Sequence, residues 1–398
     1  MEQNKVSLIR SSRRAFLAVL VAAGAALAGA GSTLLGVCGP FTDITDAGFC
    51  PFVLEIFTLG ITTGTSPTTY DPTSSVSRLQ MAAFLSRTVD GVLKRGSRRA
   101  GLDQFWATQN STVLGLTTVG STPGHVASDG ANLWVADFAG SVSRVRASDG
   151  KLLETWGGAN EGYGVLVAMG RVFVTGQTVP SLLYQIDPSQ PAGTVTTIAS
   201  NLGSNAEGIA FDGSRIWTAN SGISSSGSVS IVTPGASIPW TVTTITTGFT
   251  ELAGAVYDGA NIWVTDAGPQ GLVKLDANGA ILQTVTLQPV PKFPVFDGAN
   301  IWVPALNVGS VWVVRASTGA VLATLTGNGL SEPWVAAFDG QRVLVTNGNG
   351  NTVSVWKAAD LTPLGSFPTG TGSFPFGVCS DGVNFWITLQ TTGRLARF

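Results

Sequence analysis

A column of side chains able to hold a small molecule emerges when the repeats of this chain are superimposed on their Asp-Gly pairs. The column contains Gly124, Tyr163, Glu207, Ala253, Lys292, Trp334 and Phe376, with His125, Glu161, Glu251 and Glu332 close by. Aromatic faces can stack on a sugar or a peptide while carboxylates and an ammonium fix its orientation. Only 12% of the chain is charged, so charges gathered at one register are informative. A ligand-binding role at a channel mouth is therefore assigned to Tyr163, Glu207, Lys292, Trp334, Phe376 and His125. The competing reading is that Glu207 and Lys292 only solvate a wet opening.

Catalytic chemistry finds less support. His125 is the only histidine, so no multi-histidine metal site can form, and three scattered cysteines offer no thiolate cluster. Neither a Gly-x-Ser-x-Gly elbow nor a phosphate-cradling Gly-Lys-Ser/Thr loop occurs. Asn201, Asn220 and Asp266 carry oxygen atoms suited to a cation but read as turn residues. No cofactor and no metal are expected, and a binding or structural role is expected over an enzymatic one. The alternative is a propeller lyase or hydrolase acting on a sugar or cyclic peptide in the central channel.

The elements that must position this column follow from repetition. An Asp-Gly pair, two further residues and an apolar triplet recur from Asp129, Asp212, Asp258, Asp297, Asp339 and Asp381. A degenerate seventh copy covers 168–174, with Phe173 in the place usually held by Trp. A period of roughly 42 residues points to a propeller or solenoid. Within each unit a short apolar strand, the Asp-Gly hairpin, the Trp strand and two more strands follow one another. Asp-Gly is expected to form a tight hairpin with positive φ at both central positions. Four strands per unit and seven units predict a mainly β fold, a seven-bladed β-propeller over 111–398 without long exposed edges. The chain ends after a third strand at Phe398, so the segment 111–117 is expected to supply the missing fourth strand and close the ring. Trp134, Trp217, Trp263, Trp302 and Trp386 are expected to pack between blades rather than bind sugar.

Val343-Leu344-Val345-Thr346-Asn347, then Asn351-Thr352-Val353-Ser354-Val355 and Phe374-Pro375-Phe376-Gly377-Val378, resembles the YVTN-type propeller family, itself similar to streptogramin-lyase and NHL-type propellers. The resemblance implies the fold. A streptogramin-lyase-like activity would imply a histidine base, an acidic partner and a divalent cation in the channel, and His125 with Glu207 or Glu161 are the residues available for the first two roles.

The front of the chain differs. Residues 1–37 read as a twin-arginine export signal, with Ser12-Arg13-Arg14-Ala15-Phe16-Leu17 before an Ala- and Gly-rich apolar stretch. An ordinary secretory signal or an uncleaved anchor are the alternatives. The expected location is extracytoplasmic, at the cell envelope or secreted. Residues 38–93 read as a small helical module. Phe52, Val53, Ile56 and Phe57 follow helical spacing, Gly60 is placed to stop the first helix, and Ser77 with Gln80 forms a capping box for the second. Met81, Ala82, Phe84, Leu85 and Val89 are expected to pack on the first helix. Phe41-Thr42-Asp43-Ile44, Leu59-Gly60-Ile61-Thr62-Thr63-Gly64, Tyr70-Asp71-Pro72 and Val76-Ser77-Arg78-Leu79-Gln80-Met81-Ala82 resemble the S-layer homology family. That resemblance implies attachment to a cell-wall polysaccharide or peptidoglycan-linked polymer, with Arg78 at the anionic-glycan site, or self-association of the single copy. Residues 94–110 read as a basic linker. Cys38 and Cys50 flank one short segment, and their pairing is left open; Cys379 reads as a buried thiol. A net charge of −2 makes nucleic acid an unpromising partner.

Overall fold

Seven four-stranded antiparallel sheets follow one another along the chain, as period-two apolar segments separated by Gly-rich turns dictate. The computed structural model describes residues 38–96 and 115–398, apart from 39, 47, 59–60, 225, 269–270 and 288–289. The expected export signal, Gly60 and residues 97–114 of the expected linker and first strand lie outside the described residues. The chain divides into two units, Met1–Leu93 and Lys94–Phe398.

Six blades are continuous in sequence, over 123–157, 162–202, 206–245, 252–285, 291–326 and 333–368. The seventh takes three strands from 375–397 and its outermost strand, Gly115–Thr118, from the front of the propeller. Gly115 pairs with Arg397 and Thr118 with Arg394, so the two ends of the propeller meet in one sheet, as the strand count required. Phe385 and Phe398 also exchange a pair of backbone hydrogen bonds, 2.9 and 2.8 Å.

The recurring Asp does more than shape a turn. Its Oδ1 accepts the backbone N–H groups two and three residues on, as Asp297 does from Ala299 and Asn300. Its Oδ2 accepts the indole N–H five residues on, at 2.7 to 2.9 Å for Trp134, Trp217, Trp263, Trp302 and Trp386. These indoles are at most 1% exposed. Each fills the seam to the following blade: Trp302 packs with Val343 and Val345, and Trp386 with Leu133 and Val135. Cations cover several indole faces, Arg144 on Trp134, Arg215 on Trp217 and Lys274 on Trp263, at 5.0 to 5.2 Å. Asp339 has Leu344 in the indole position and binds the Arg342 Nε instead, at 2.8 Å.

The turn itself departs from expectation. Only the Gly of each pair has positive φ, between +88° and +98°, whereas none of the six Asp residues does. Asp is selected for its two carboxylate oxygens, not for tolerance of the left-handed region. The degenerate repeat supplies the contrast: there Met169 and Gly170 both have positive φ, and Ala168 pairs directly with Arg171.

In the first unit, helix α1 spans Cys50–Thr58 and helix α2 spans Arg78–Gly96. Ser77 and Gln80 form the reciprocal cap, Ser77 N–H to Gln80 Oε1 at 2.9 Å and Gln80 N–H to Ser77 Oγ at 3.2 Å. Phe41 packs edge-on to Phe57 and beside Tyr70, while the Asp43 carboxylate accepts the Tyr70 and Asp71 amides. Cys38 and Cys50 are joined as a disulfide within this core. The apolar stripe of α2 does not pack as expected. Met81 is 47% and Leu85 60% exposed, Ala82 is exposed, Phe84 is half-buried, and the side chain of Val89 lies outside the described ones. On α1 Phe52 is likewise exposed while Val53 is buried. The described core closes around Phe41 and the disulfide instead.

Replacing Asp297 with Ala strands a buried indole N–H and two turn amides, so urea unfolding should show a loss of about 1–3 kcal/mol. Asp360→Ala, in a turn without an indole partner, should cost less. Equal losses would show that the indole bond is not what makes the repeat Asp stabilising.

Candidate functional site

The seven innermost strands begin alike. Pro123, Gly162, Ala206, Leu252, Pro291, Pro333 and Pro375 pair with Asp137, Gly176, Asn220, Asp266, Ala305, Asn347 and Leu389 at the far ends of the second strands. The next residue in each blade is Gly124, Tyr163, Glu207, Ala253, Lys292, Trp334 or Phe376, so the column read from the sequence is one structural layer. Outside it, two residues earlier, lie Thr122, Glu161, Asn205, Glu251, Val290, Glu332 and Phe374. Each of their carbonyls accepts a backbone N–H from the loop after the second strand, for example Gln177 to Glu161 and Gly348 to Glu332. One residue inward lie His125, Gly164, Gly208, Gly254, Phe293, Val335 and Gly377.

The strands reach this register through a bulge that threonines stabilise. Thr175, Thr265, Thr346 and Thr388 Oγ1 accept the N–H of Gly164, Gly254, Val335 and Gly377 at 2.8 to 3.1 Å. Thr346 and Thr388 then donate to the carbonyls of Phe376 and Gly124 on the following blade, both at 2.7 Å. Glycine lets neighbouring inner strands touch: a Cβ on Gly208 would stand 2.6 Å from the Ala253 carbonyl, and one on Gly377 would stand 2.8 Å from His125 Cα.

Where blades present rings instead, the channel fills. The His125 ring lies 4.3 Å from Phe293, 5.1 Å from Tyr163 and 5.2 Å from Phe376. Phe293 belongs to the fifth blade and His125 to the first, so this contact crosses the ring and closes the channel at that depth. Trp334 continues the cluster, 5.3 Å from Phe376 and 6.3 Å from Phe374. These rings form an aromatic floor beside the column. Sequence reasoning missed Phe293 and Phe374, although reading the alignment one column inward and two outward names them both.

Electrostatics separate the polar members. Burial pushes the Glu207 carboxyl up to about 7; Lys292 and a hydrogen bond from Ser221 pull it down, and Glu251 raises it further. The Lys292 ammonium rests 5.0 Å over the Trp334 indole. Desolvation pushes the Tyr163 phenol well above its usual range, with the Glu207 charge adding to it. Desolvation also drives His125 down to about 3, and its Nε2 is sealed without a partner, so the imidazole stays neutral and is a poor base. That corrects the pairing of His125 with Glu207 or Glu161 as base and acid.

The residues do not fit the divalent cation implied by the lyase resemblance: among the described residues no three His, Cys, Asp or Glu side chains converge. Asn220 Oδ1 accepts the Thr218 hydroxyl at 2.8 Å, and the Asp266 carboxylate accepts the amides of Thr250, Glu251 and Gly268. Asn201 is exposed on an outer strand. Arg78 is exposed in the first turn of α2, in the other unit. Cys379 is half-buried against the seventh blade's core, its thiol pushed well up by burial and then by Asp381.

Among solved structures the chain is similar to virginiamycin B lyase from Staphylococcus aureus (TM-score 0.59, 13% identity, 72% of this chain and 98% of that one). It is similar to a streptogramin B lyase (0.58, 14%, 71% and 97%) and to Kuenenia stuttgartiensis hydrazine synthase (0.59, 17%, 74% and 99%). The WD40 propeller domain of Doa1 matches as well (0.59, 13%, 72% and 95%). No family model and no curated protein matches the sequence. At such identities the likeness shows the fold, a seven-bladed propeller, and the S-layer homology and YVTN resemblances gain no support from it. It does correct the expectation against an enzymatic role, which rested on the lone histidine, the scattered cysteines and the missing motifs: three of these four propellers are named as enzymes.

Glu207 gives the site a pH signature. Below about 4.5 its carboxyl is neutral in both folded and unfolded chains; between 4.5 and about 7 the unfolded chain ionises first, so its contribution to stability falls as pH rises. Glu207→Gln should flatten that segment, with the stability difference from wild type growing from pH 5 to 7 and levelling by about pH 8 in urea melts. Parallel curves would mean that Glu207 titrates like a surface carboxylate.

Proposed function

We propose that the propeller is a lyase working at this mouth, with Glu207 as the general base. The observation that carries the reading is a carboxyl raised to about 7 beside the Lys292 ammonium, over a closed aromatic floor. A base poised near neutral pH takes up a proton with least penalty, and a neighbouring ammonium stabilises the oxyanion that proton loss creates. In the elimination, Glu207 takes the proton from a carbon next to a carbonyl, and negative charge develops on the carbonyl oxygen facing Lys292. The electron pair then forms a carbon–carbon double bond as the β-carbon's bond to its leaving oxygen breaks.

One base and no paired acid favour a leaving group that departs without a proton. The carboxylate released from a lactone is such a group, whereas a sugar alkoxide is not. A cyclic depsipeptide therefore suits the mouth better than a glycan. The fold likeness to the virginiamycin B and streptogramin B lyases agrees with this reading. Wild-type protein incubated with virginiamycin B or other depsipeptide lactones should open the ring without change of mass, because elimination adds no water. Glu207→Gln should lower the rate at least about 100-fold. No ring opening on any such lactone, or products heavier by one water, would refute the lyase reading.

For the first unit we propose an export and attachment role, outside the cytoplasm. The Cys38–Cys50 disulfide supports an oxidising compartment. Leu79, Leu85, Phe49 and Phe52, 60 to 84% exposed on one small module, favour a partner surface. That partner is another copy of the module or a wall polymer reached by Arg78. Light scattering of the intact chain should show concentration-dependent self-association that Leu79→Glu with Leu85→Glu abolishes, and sedimentation with purified cell walls should be lost in Arg78→Ala. A monomer that ignores cell walls would exclude both.

A further inference from the structure

We propose that the Tyr163 hydroxyl donates a hydrogen bond to the substrate carbonyl oxygen on which negative charge collects while Glu207 removes the neighbouring proton. This rests on the lyase reading and deepens it by adding a second donor to the oxyanion's surroundings. Around the ring the column runs Gly124, Tyr163, Glu207, Ala253, Lys292, Trp334 and Phe376. Glu207 therefore has the phenol as its neighbour on one side, and on the other Lys292 stands two places away beyond the small Ala253. The inner strands carrying Tyr163 and Glu207 touch, since a Cβ on Gly164 would collide with the Glu207 carbonyl oxygen. The Lys292 ammonium is drawn 5.0 Å over the Trp334 indole, toward the apolar half of the column.

Three rings fix the phenol in place: His125, Phe376 and Phe293, with centroids 5.1, 5.8 and 6.1 Å away. Tyr184 and Tyr257, in the same propeller, spend their hydroxyls on the carbonyls of Asn160 and Gly259, at 3.3 and 2.8 Å. Tyr163 has no such acceptor among the described residues, and unlike His125 Nε2 its hydroxyl is not sealed from water. A half-buried phenol with a fixed ring, an open tip and no protein acceptor is a donor held ready for a ligand. Burial and the Glu207 charge both push the phenol well above its usual range, so it stays protonated. Neutrality also suits this position. A second ammonium beside Glu207 would pull the carboxyl below about 7 and weaken it as a base, whereas a phenol leaves its basicity intact. The hydroxyl keeps its own proton throughout: the substrate's proton ends on Glu207, and the electron pair of the broken carbon–oxygen bond leaves with the carboxylate.

Steady-state kinetics of the intact chain on virginiamycin B or another depsipeptide lactone test the inference. Tyr163→Phe keeps the ring and loses only the hydroxyl, so its melting temperature, measured alongside, should equal that of wild type. Its kcat should fall about 100-fold while KM changes less than about threefold, because the bond strengthens as charge develops. The pH profile of kcat/KM should keep its acidic limb at about 7, since a neutral phenol does not set the ionisation of Glu207. A variant as fast as wild type would overturn the inference. So would a rise in KM alone, which is the mark of ground-state binding, or a limb that shifts with the rate, which would place the effect on Glu207 instead of the substrate. In each of those three cases ring opening by the wild-type protein leaves the lyase reading standing. Wild-type protein that opens no such lactone would refute both, and that result is read before any variant is made.

Discussion

The carboxylate of the repeat Asp reaching the indole N–H five residues on is the interaction from which the propeller follows. A Trp brings the largest apolar area a side chain can bury, but its N–H must find an acceptor once water is excluded. Supplying that acceptor from the hairpin of the same blade makes each unit self-sufficient. The indole then arrives at the seam with its polar atom satisfied, and only apolar surface and a cation-covered face remain to be packed. The sixth blade, with Leu344 in the indole position, gives the same carboxylate to Arg342, whose guanidinium lies 5.1 Å over Phe385 in the next blade. The chemistry changes there while the logic of the seam persists.

With the seams fixed near one end of the blades, the other end is free to differ. Four bulges are satisfied by threonine hydroxyls, and two of these, Thr346 and Thr388, also bind the next blade, so inner strands there are held in register by side chains outside the column. This division of labour lets seven equivalent positions carry Gly, Tyr, Glu, Ala, Lys, Trp and Phe without disturbing the ring. A site built on such a layer is rigid and asymmetric together, as orienting one ligand requires.

What the sequence disclosed and what it hid divide along the same line. Repetition made the blade count, the indole seams and the pairing of 115–118 with 394–397 legible, because each is a period imposed on every unit. The mouth column was legible too, since alignment on Asp-Gly carries its register into space. The closure of the channel was not. It depends on His125 and Phe293, which lie far apart in sequence and meet only because the ring brings the first and fifth blades across its axis. The function of the Asp was half-read for a related reason: φ preference is a local property visible in a dipeptide, whereas a bond to an indole five residues away is not. The exposed stripe of α2 was misread because helical spacing identifies an apolar face without saying whether enough partner surface exists to cover it.

Histidine invites assignment as a base, and in this chain its uniqueness made the invitation stronger. Its setting decides otherwise. Three rings around an imidazole remove the water that would stabilise its charged form, and no carboxylate stands against it to compensate. The same desolvation acts on Glu207 in the opposite sense, since there the charged form is the deprotonated one, and Lys292 limits the rise to about 7. One apolar floor thus disables the residue that looks basic and tunes the one that looks acidic. The lyase reading proposed for this mouth accordingly takes the glutamate as its base, on the strength of how burial acts on the two side chains rather than of either residue type.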